Sequence, residues 1–255
     1  MHTVHFLKEL HDSALDYAKR LQFDKTHIVH FTLVSLYGSL IELTGCMLTL
    51  LENRGKSGIP SIYRTFLETH VEFNNLLREP MYVFHMKASY LKELIKICRA
   101  VAEGGNPLLP SIANMPGLSD RVEKMERELK DLKSKGYKPL TIRERFERAD
   151  MVEVYRSIYH FLSADCHSEI GALFGRHFEP GNDDFALVLY KNPPDEKLAL
   201  YLETIAAFLV ADTIAIHENL QSDAVNEVRS LKEKLAKLAE VRLSLLGVPK
   251  AAERT

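Results

Sequence analysis

Two sets of polar residues in this chain recur at a spacing of four inside otherwise apolar segments. One is Arg64 and Glu68, within SIYRTFLETHVEF; the other is the series Tyr155, Tyr159, Ser163 and His167. Residues four apart are neighbours on a helix surface, so successive members of each set can touch. Side chains of these types could carry out metal-independent cleavage of RNA. A base with a pKa near neutrality must take the 2′-hydroxyl proton, and histidine suits this. A cation must also hold the phosphoryl oxygens, which arginine's planar fork does bidentately. On that reading His167 is the base or acid, oriented by Ser163. Arg64 grips the phosphate, oriented by Glu68, and Tyr159 donates a hydrogen bond. The same residues also read, and more readily, as internal glue. Arg64 and Glu68 then form a partly buried ion pair, and Ser163 and His167 tie core helices together, because an unpaired buried polar group costs about 1–3 kcal/mol. Geometry limits the chemical reading. From Tyr155 to His167 a helix rises about 18 Å and each step of four drifts by about 40°, so only two or three of these residues can share one site.

Other chemistries find little support. Gly55-Lys56-Ser57 ends like a phosphate loop, but Leu50 stands where the upstream glycine is required. No Gly-x-Gly-x-x-Gly, His-Glu-x-x-His, Cys-x-x-Cys or paired Glu-x-x-His motif occurs. Glu68, His70, Glu72, Asp165, His167 and Glu169 mix ligand types, yet Asp165-x-His167-x-Glu169 sends alternate residues to different helix faces. Neither a metal nor a stable small-molecule cofactor is expected. Cys46, Cys98 and Cys166 are widely spaced, odd in number and set among apolar residues. They read as buried small hydrophobes in a reducing cytoplasm.

The elements that must position these residues are helices. The chain has 255 residues, 46% hydrophobic and 27% charged, with only 12 glycines and 10 prolines. Its net charge of −2 gives no global footprint for nucleic acid. Arg143, Arg145, Arg148 and Arg156 lie close together, though Glu144, Glu147 and Glu153 dilute them. Periodicity predicts helices over 5–22, 28–53, 60–78 and 82–103, the last ending at Gly104-Gly105 before a Pro-rich loop. Pro60 fits a first helical turn. Residues 28–51 are long enough to cross a bilayer with Glu42 as their one formal charge. They also hold His30, Thr32, Ser35, Ser39 and Thr44, and no second span is evident, so a long buried central helix is expected and no membrane.

A charged helical arm follows at about 118–136, with Val122, Met125, Leu129 and Leu132 at heptad spacing. Thr141-x-x-Glu144 and Asp150-x-x-Glu153 read as capping boxes. The second opens a helix that carries the polar stripe and is buried on most sides among Met151, Val154, Ile158, Phe161, Leu162, Ile170, Leu173 and Phe174. Residues 178–190 leave room for one small β-hairpin around Gly181-Asn182. Asn192-Pro193 opens a helix to about Leu220, and a heptad-like helix at about 224–246 carries Val228, Leu231, Leu235, Leu238 and Leu245. The expected architecture is a single all-α domain over 1–255, a multi-helix bundle with core segments at about 5–103 and 141–222. The arm and the C-terminal helix are the surfaces offered for a homodimer.

The blocks SIYRTFLETHVEFNNLL and YRSIYHFLSADCHSEIGALF resemble the two signature blocks of a bacterial helical family, the domain of unknown function numbered fifty-six seventy-seven. Its Arg-x-x-x-Glu motif matches Arg64 and Glu68, and its Tyr-x-x-x-Ser-x-x-x-His motif matches Tyr159, Ser163 and His167. The resemblance covers most of 28–220 and implies a fold without implying an activity. A looser likeness is to HEPN ribonucleases, which set Arg and His four to six residues apart on one helix. Here Arg156 precedes His160 with three residues between, and His167 with ten. That likeness implies RNA as partner and a role in defence or stress response. The alternative is a non-enzymatic interaction or ligand-sensing module.

Overall fold

The computed structural model describes residues 2–53, 55–102, 109–113, 115–180 and 184–245. Helix α1 (His2–Ala18) leads into α2 (Ile28–Glu52), which runs through the centre of the molecule. Its hydroxyls do not disturb the apolar packing because they turn back on their own helix. Thr32 donates to the Ile28 carbonyl at 2.7 Å, Ser35 to Phe31 at 2.8 Å and Thr44 to Leu40 at 2.8 Å. A 3₁₀ turn at Lys56–Gly58 then opens α3 (Ile59–Arg78), with Pro60 in its first turn as the sequence suggests. Helix α4 (Tyr82–Ala102) follows; the Gly104-Gly105 stop and residues 106–108 of the loop lie outside the described residues.

The core gathers α1, α2, α3 and α11 (Asp195–Asn219) around Leu10, Tyr37, Leu40, Met47, Tyr63, Phe66, Ile205 and Leu209, all essentially inaccessible. At about 1.5–3 kcal/mol per buried large side chain, this packing is what holds the bundle. Both α2 and α11 are long and apolar enough to cross a membrane by length and composition. The second such helix was not apparent as a span in the sequence, because Asp212 interrupts it. Of these apolar windows 56% is buried in α11 and only 39% in α2, whose Ile28 and Phe31 are exposed, so α2 is less buried than its composition suggests.

Helix α5 (Pro110–Ala113) is a single turn, and α6 (Leu118–Ser134) is the expected arm. It lies along α4 rather than projecting freely: Leu132 is buried with Ala88 and Leu91, and Met125 and Leu129 pack against them. Helix α7 (Ile142–Arg148) has its capping box, with the Glu144 amide donating to Thr141 Oγ1 and the Thr141 amide donating to Glu144 Oε2 at 2.7 Å.

The next segment departs from expectation in several ways. Asp150 does not cap; it adopts φ 61°, and Met151 precedes the helix without a side-chain cap. A short α8 (Val152–Val154) passes into a π turn at Tyr155–Tyr159 and then α9 (His160–Cys166). The helix stops there, since Ser168 takes φ 54°, and α10 (Ile170–His177) is separate. Nor is the segment buried on most sides: Phe161, Ile170 and Phe174 are exposed. Strands β1 (Phe178–Pro180) and β2 (Phe185–Leu187) form the antiparallel hairpin, its turn residues 181–183 lying outside the described residues. Helix α11 starts at Asp195 with Pro194 before it, two residues later than Asn192-Pro193 predicts.

The heptad-like C-terminal helix is divided into α12 (Val225–Arg229) and α13 (Leu231–Leu245). Val228 and Leu231 are buried in the main core, and Leu235 and Leu238 pack on it, so these positions are occupied within the chain. Among the cysteines only Cys98 is buried; Cys46 is exposed and Cys166 half-buried.

Candidate functional site

Helix α3 presents Arg64 and Glu68 on successive turns, and the π turn brings Tyr159 against them. Arg64 Nη2 donates to the Tyr159 hydroxyl at 3.1 Å, and that hydroxyl donates to Glu68 Oε1 at 2.8 Å. A direct Arg64–Glu68 contact of 3.0 Å closes the ring. The guanidinium also stands 5.4 Å from the centre of the Tyr159 ring. The phenol is fixed by neighbouring rings, Phe146 at 4.9 Å and Tyr155 stacked at 5.5 Å. Tyr155 and Tyr159 meet through the π turn, an insertion that often marks a functional site.

The electrostatics follow from this half-buried setting. Burial pushes the Tyr159 phenol up to about 12; the Arg64 hydrogen bond works against the shift and the Glu68 carboxylate with it. For Arg64, burial works to lower the pKa, but the Tyr159 bond, the Glu68 charge and a Cys166 contact outweigh it and hold it raised. Arg64 Nε is buried without a protein acceptor among the described residues.

Ser163 and His167 stand apart from this ring. Ser163 is half-buried on α9, and its carbonyl accepts the His167 amide at 2.9 Å. His167 caps the end of α9 and is exposed. Among the described residues no side-chain hydrogen bond, ion pair or ring contact joins either residue to Arg64, Glu68 or Tyr159. The structure therefore brings three of the five candidates together and leaves the imidazole in solvent.

The remaining candidate ligands are separately engaged. His70 Nδ1 lies 2.7 Å from Asp212 Oδ2 on α11, Asn74 Nδ2 is 2.9 Å from His70 Nε2, and Phe208 stacks on the imidazole at 4.0 Å. Burial pushes the Asp212 carboxyl up, while His70 opposes that shift. Glu72 accepts from Arg145 Nη1 at 2.6 Å. No group able to hold a metal ion occurs among the described residues. The clustered arginines are each paired: Arg143 with Glu147, Arg148 with Glu79 and Arg156 with Glu153.

A cleft of about 370 Å³ opens beside the start of α3. Ser57, Pro60, Ser61 and Asp165 line it together with three cations from elsewhere in the chain: Arg176 of α10, Lys191, and Lys197 of α11. Arg176 Nη1 donates to the Asp165 carbonyl at 3.2 Å, and Lys191 Nζ donates to the Phe178 carbonyl at 3.2 Å. Glu179 lies 3.5 Å from the Lys191 ammonium, and Lys197 Nζ stands 5.7 Å from the Tyr201 ring centre. At the α3 N-terminus the Ile59 amide is already taken by the Lys56 carbonyl, and Pro60 has no N–H to offer. Ser61 lies three residues before Arg64, so cleft and ring share a helix. Sequence reading missed this grouping because its cations come from three separate segments.

A model of a family described as "Family of unknown function (DUF5677)" matches residues 30–185. The match takes in Arg64, Glu68, Tyr159, Ser163 and His167, and ends before Lys191, Lys197 and Asp212. No curated protein and no solved structure matches the chain. The likeness to HEPN ribonucleases finds no support in these comparisons.

Proposed function

We propose that this chain, which belongs to the family of unknown function DUF5677, is a helical binding module for a ligand bearing phosphate or carboxylate groups. The observation that carries this reading is the convergence of Arg176, Lys191 and Lys197 on a concave site at the start of α3. Charge-assisted hydrogen bonds from such donors are about twice as strong as neutral ones. The ring of Arg64, Glu68 and Tyr159 acts as the support for that wall. Its hydrogen bonds close on one another, which ties α3 to the π turn and fixes where the α3 N-terminus points. Titration calorimetry with inorganic phosphate, a polycarboxylate and a short RNA tests the proposal and separates the ligand sources. Saturable binding that weakens at least tenfold in Lys197→Ala and falls as salt rises supports it; no saturable binding of any of the three overturns it.

A second reading, metal-independent RNA cleavage, is favoured by the solvent-exposed His167 imidazole and the unpaired Arg64 Nε. On that reading RNA enters beside Arg64, and His167 moves the 2′-hydroxyl proton. Cleavage of labelled RNA in EDTA by the wild type but not by His167→Ala would establish it. A cytoplasmic bacterial protein, acting in defence or stress response, fits either reading.

A further inference from the structure

Helices α4, α5 and α6 frame a second cavity, of about 320 Å³, which shares no lining residue with the cleft beside α3. Leu94 and Cys98 reach it from successive turns of α4, and Ile112 from α5. Gly117, at φ 67°, then turns the chain into α6. There Leu118, Arg121, Met125 and Glu128 recur at spacings of three and four, so one face of α6 lines the cavity. The walls are mainly apolar, and the charge at the site comes from Arg121, Lys124 and Glu128 of α6. An apolar hollow with a few polar groups gathered at one side is the usual form of a small-molecule site.

We propose that this cavity binds an aliphatic carboxylate of medium chain length, its hydrocarbon lying between α4 and α6 and its carboxylate at Arg121 and Lys124. Charge selects the head group. Both cations are exposed, and among the described residues neither has an ion pair or a side-chain hydrogen bond. The glutamates nearest them on α6 are already engaged: Glu123 with Arg127, Glu126 with Arg99 and Glu128 with Lys87. Asp120 lies in the first turn of the helix, where its charge favours the free amides. The two cations are thus left for an incoming anion, and the Arg121 fork can hold a carboxylate bidentately. The walls select the tail. No aromatic ring is among the described lining residues, so a planar ligand finds no stacking face. Met115 and Met125 are unbranched and adaptable, which suits a flexible chain. The volume is at the small end of the about 300–1,000 Å³ that ligand pockets span, room for one chain and too little for a two-chain lipid.

Titration calorimetry of the full chain with octanoate, decanoate and dodecanoate, each below its micelle-forming concentration, tests this. The expected result is one saturable site whose affinity rises about fourfold with each added methylene, the equivalent of about 0.8 kcal/mol. Replacing both Arg121→Ala and Lys124→Ala should weaken decanoate at least tenfold and leave decanol unchanged. Both side chains are exposed, so helical circular dichroism should not change. Ile112→Glu should weaken decanoate and decanol alike, whereas Lys197→Ala, in the other cleft, should affect neither. Absence of saturable binding overturns the proposal. So does decanoate binding that Lys197→Ala removes and the double variant keeps, since the carboxylate then sits beside α3. Flotation with phosphatidylcholine–phosphatidylglycerol vesicles, without binding of monomeric decanoate, overturns it as well by assigning the cavity to a lipid surface.

Discussion

At the scale of the residue, Tyr159 is the joint of the site. It accepts from Arg64 and donates to Glu68, so Tyr159→Phe removes both bonds and leaves Arg64 and Glu68 only their direct contact. Urea unfolding should show a loss of about 1 kcal/mol with little change in helical content. The phenol also predicts an alkaline signature. Its folded pKa of about 12 lies above a tyrosine's ordinary 10.0, so the neutral phenol's contribution is complete below pH 10 and is lost as the pH rises through 12. Stability should fall across that window, and less steeply in Tyr159→Phe; Tyr201, also pushed up to about 12, leaves part of the slope. His70→Ala should be costlier, about 3–5 kcal/mol by the same melts, because it leaves the Asp212 carboxyl buried without its imidazole. These residues were not equally legible. Arg64 and Glu68 announce themselves by a spacing of four, and Tyr159 by its place in a polar stripe. Asp212 is 142 positions from His70, and no local pattern pairs them, although a lone acid in the apolar α11 run is a signal that such a partner must exist.

At the scale of the element, local chemistry predicted well where it was self-contained. The Thr141–Glu144 box is made by residues three apart and formed as read. Lys138 and the Thr141 groups hold the Glu144 carboxylate down to about 2. Its contribution is therefore present above about pH 4.5 and lost as the pH falls through 2. Acid unfolding followed by circular dichroism should lose part of its slope in that range in Glu144→Gln. Asp150-x-x-Glu153 has the same pattern but fails as a box, since Asp150 lies in the left-handed region and cannot serve as the cap. The stripe helix was misread for a related reason. A spacing of four assumes an unbroken α-helix, whereas the π turn at Tyr155–Tyr159 shifts the register and Ser168 ends the run. Tyr155 alone is re-registered against Tyr159 by that turn. Ser163 follows on regular α9 and His167 at its end, where the rise and drift of each step of four carry them away from the Arg64 and Glu68 side chains. Periodicity assigns Phe161, Ile170 and Phe174 to the core, yet all three are exposed, because an apolar pattern marks a face without saying what covers it.

At the scale of the whole molecule, composition and periodicity made the all-α class legible, and the family match over 30–185 agrees with the two blocks that suggested it. The cationic cleft was not legible, because Arg176, Lys191 and Lys197 line one cavity only once α10, the hairpin exit and α11 are folded beside the start of α3. Binding there depends on the assembled bundle, so destabilising the core with His70→Ala should weaken ligand affinity only where the melts show unfolding. The most direct test of the account is a single assay of labelled RNA in EDTA, reading binding and cleavage together for the wild type, Lys197→Ala and His167→Ala. The expected result is RNA recovered intact from every protein, with whatever binding the wild type shows weakened at least tenfold in Lys197→Ala and retained in His167→Ala. Cleavage by the wild type that disappears in His167→Ala would contradict it and make the exposed imidazole the centre of an enzyme.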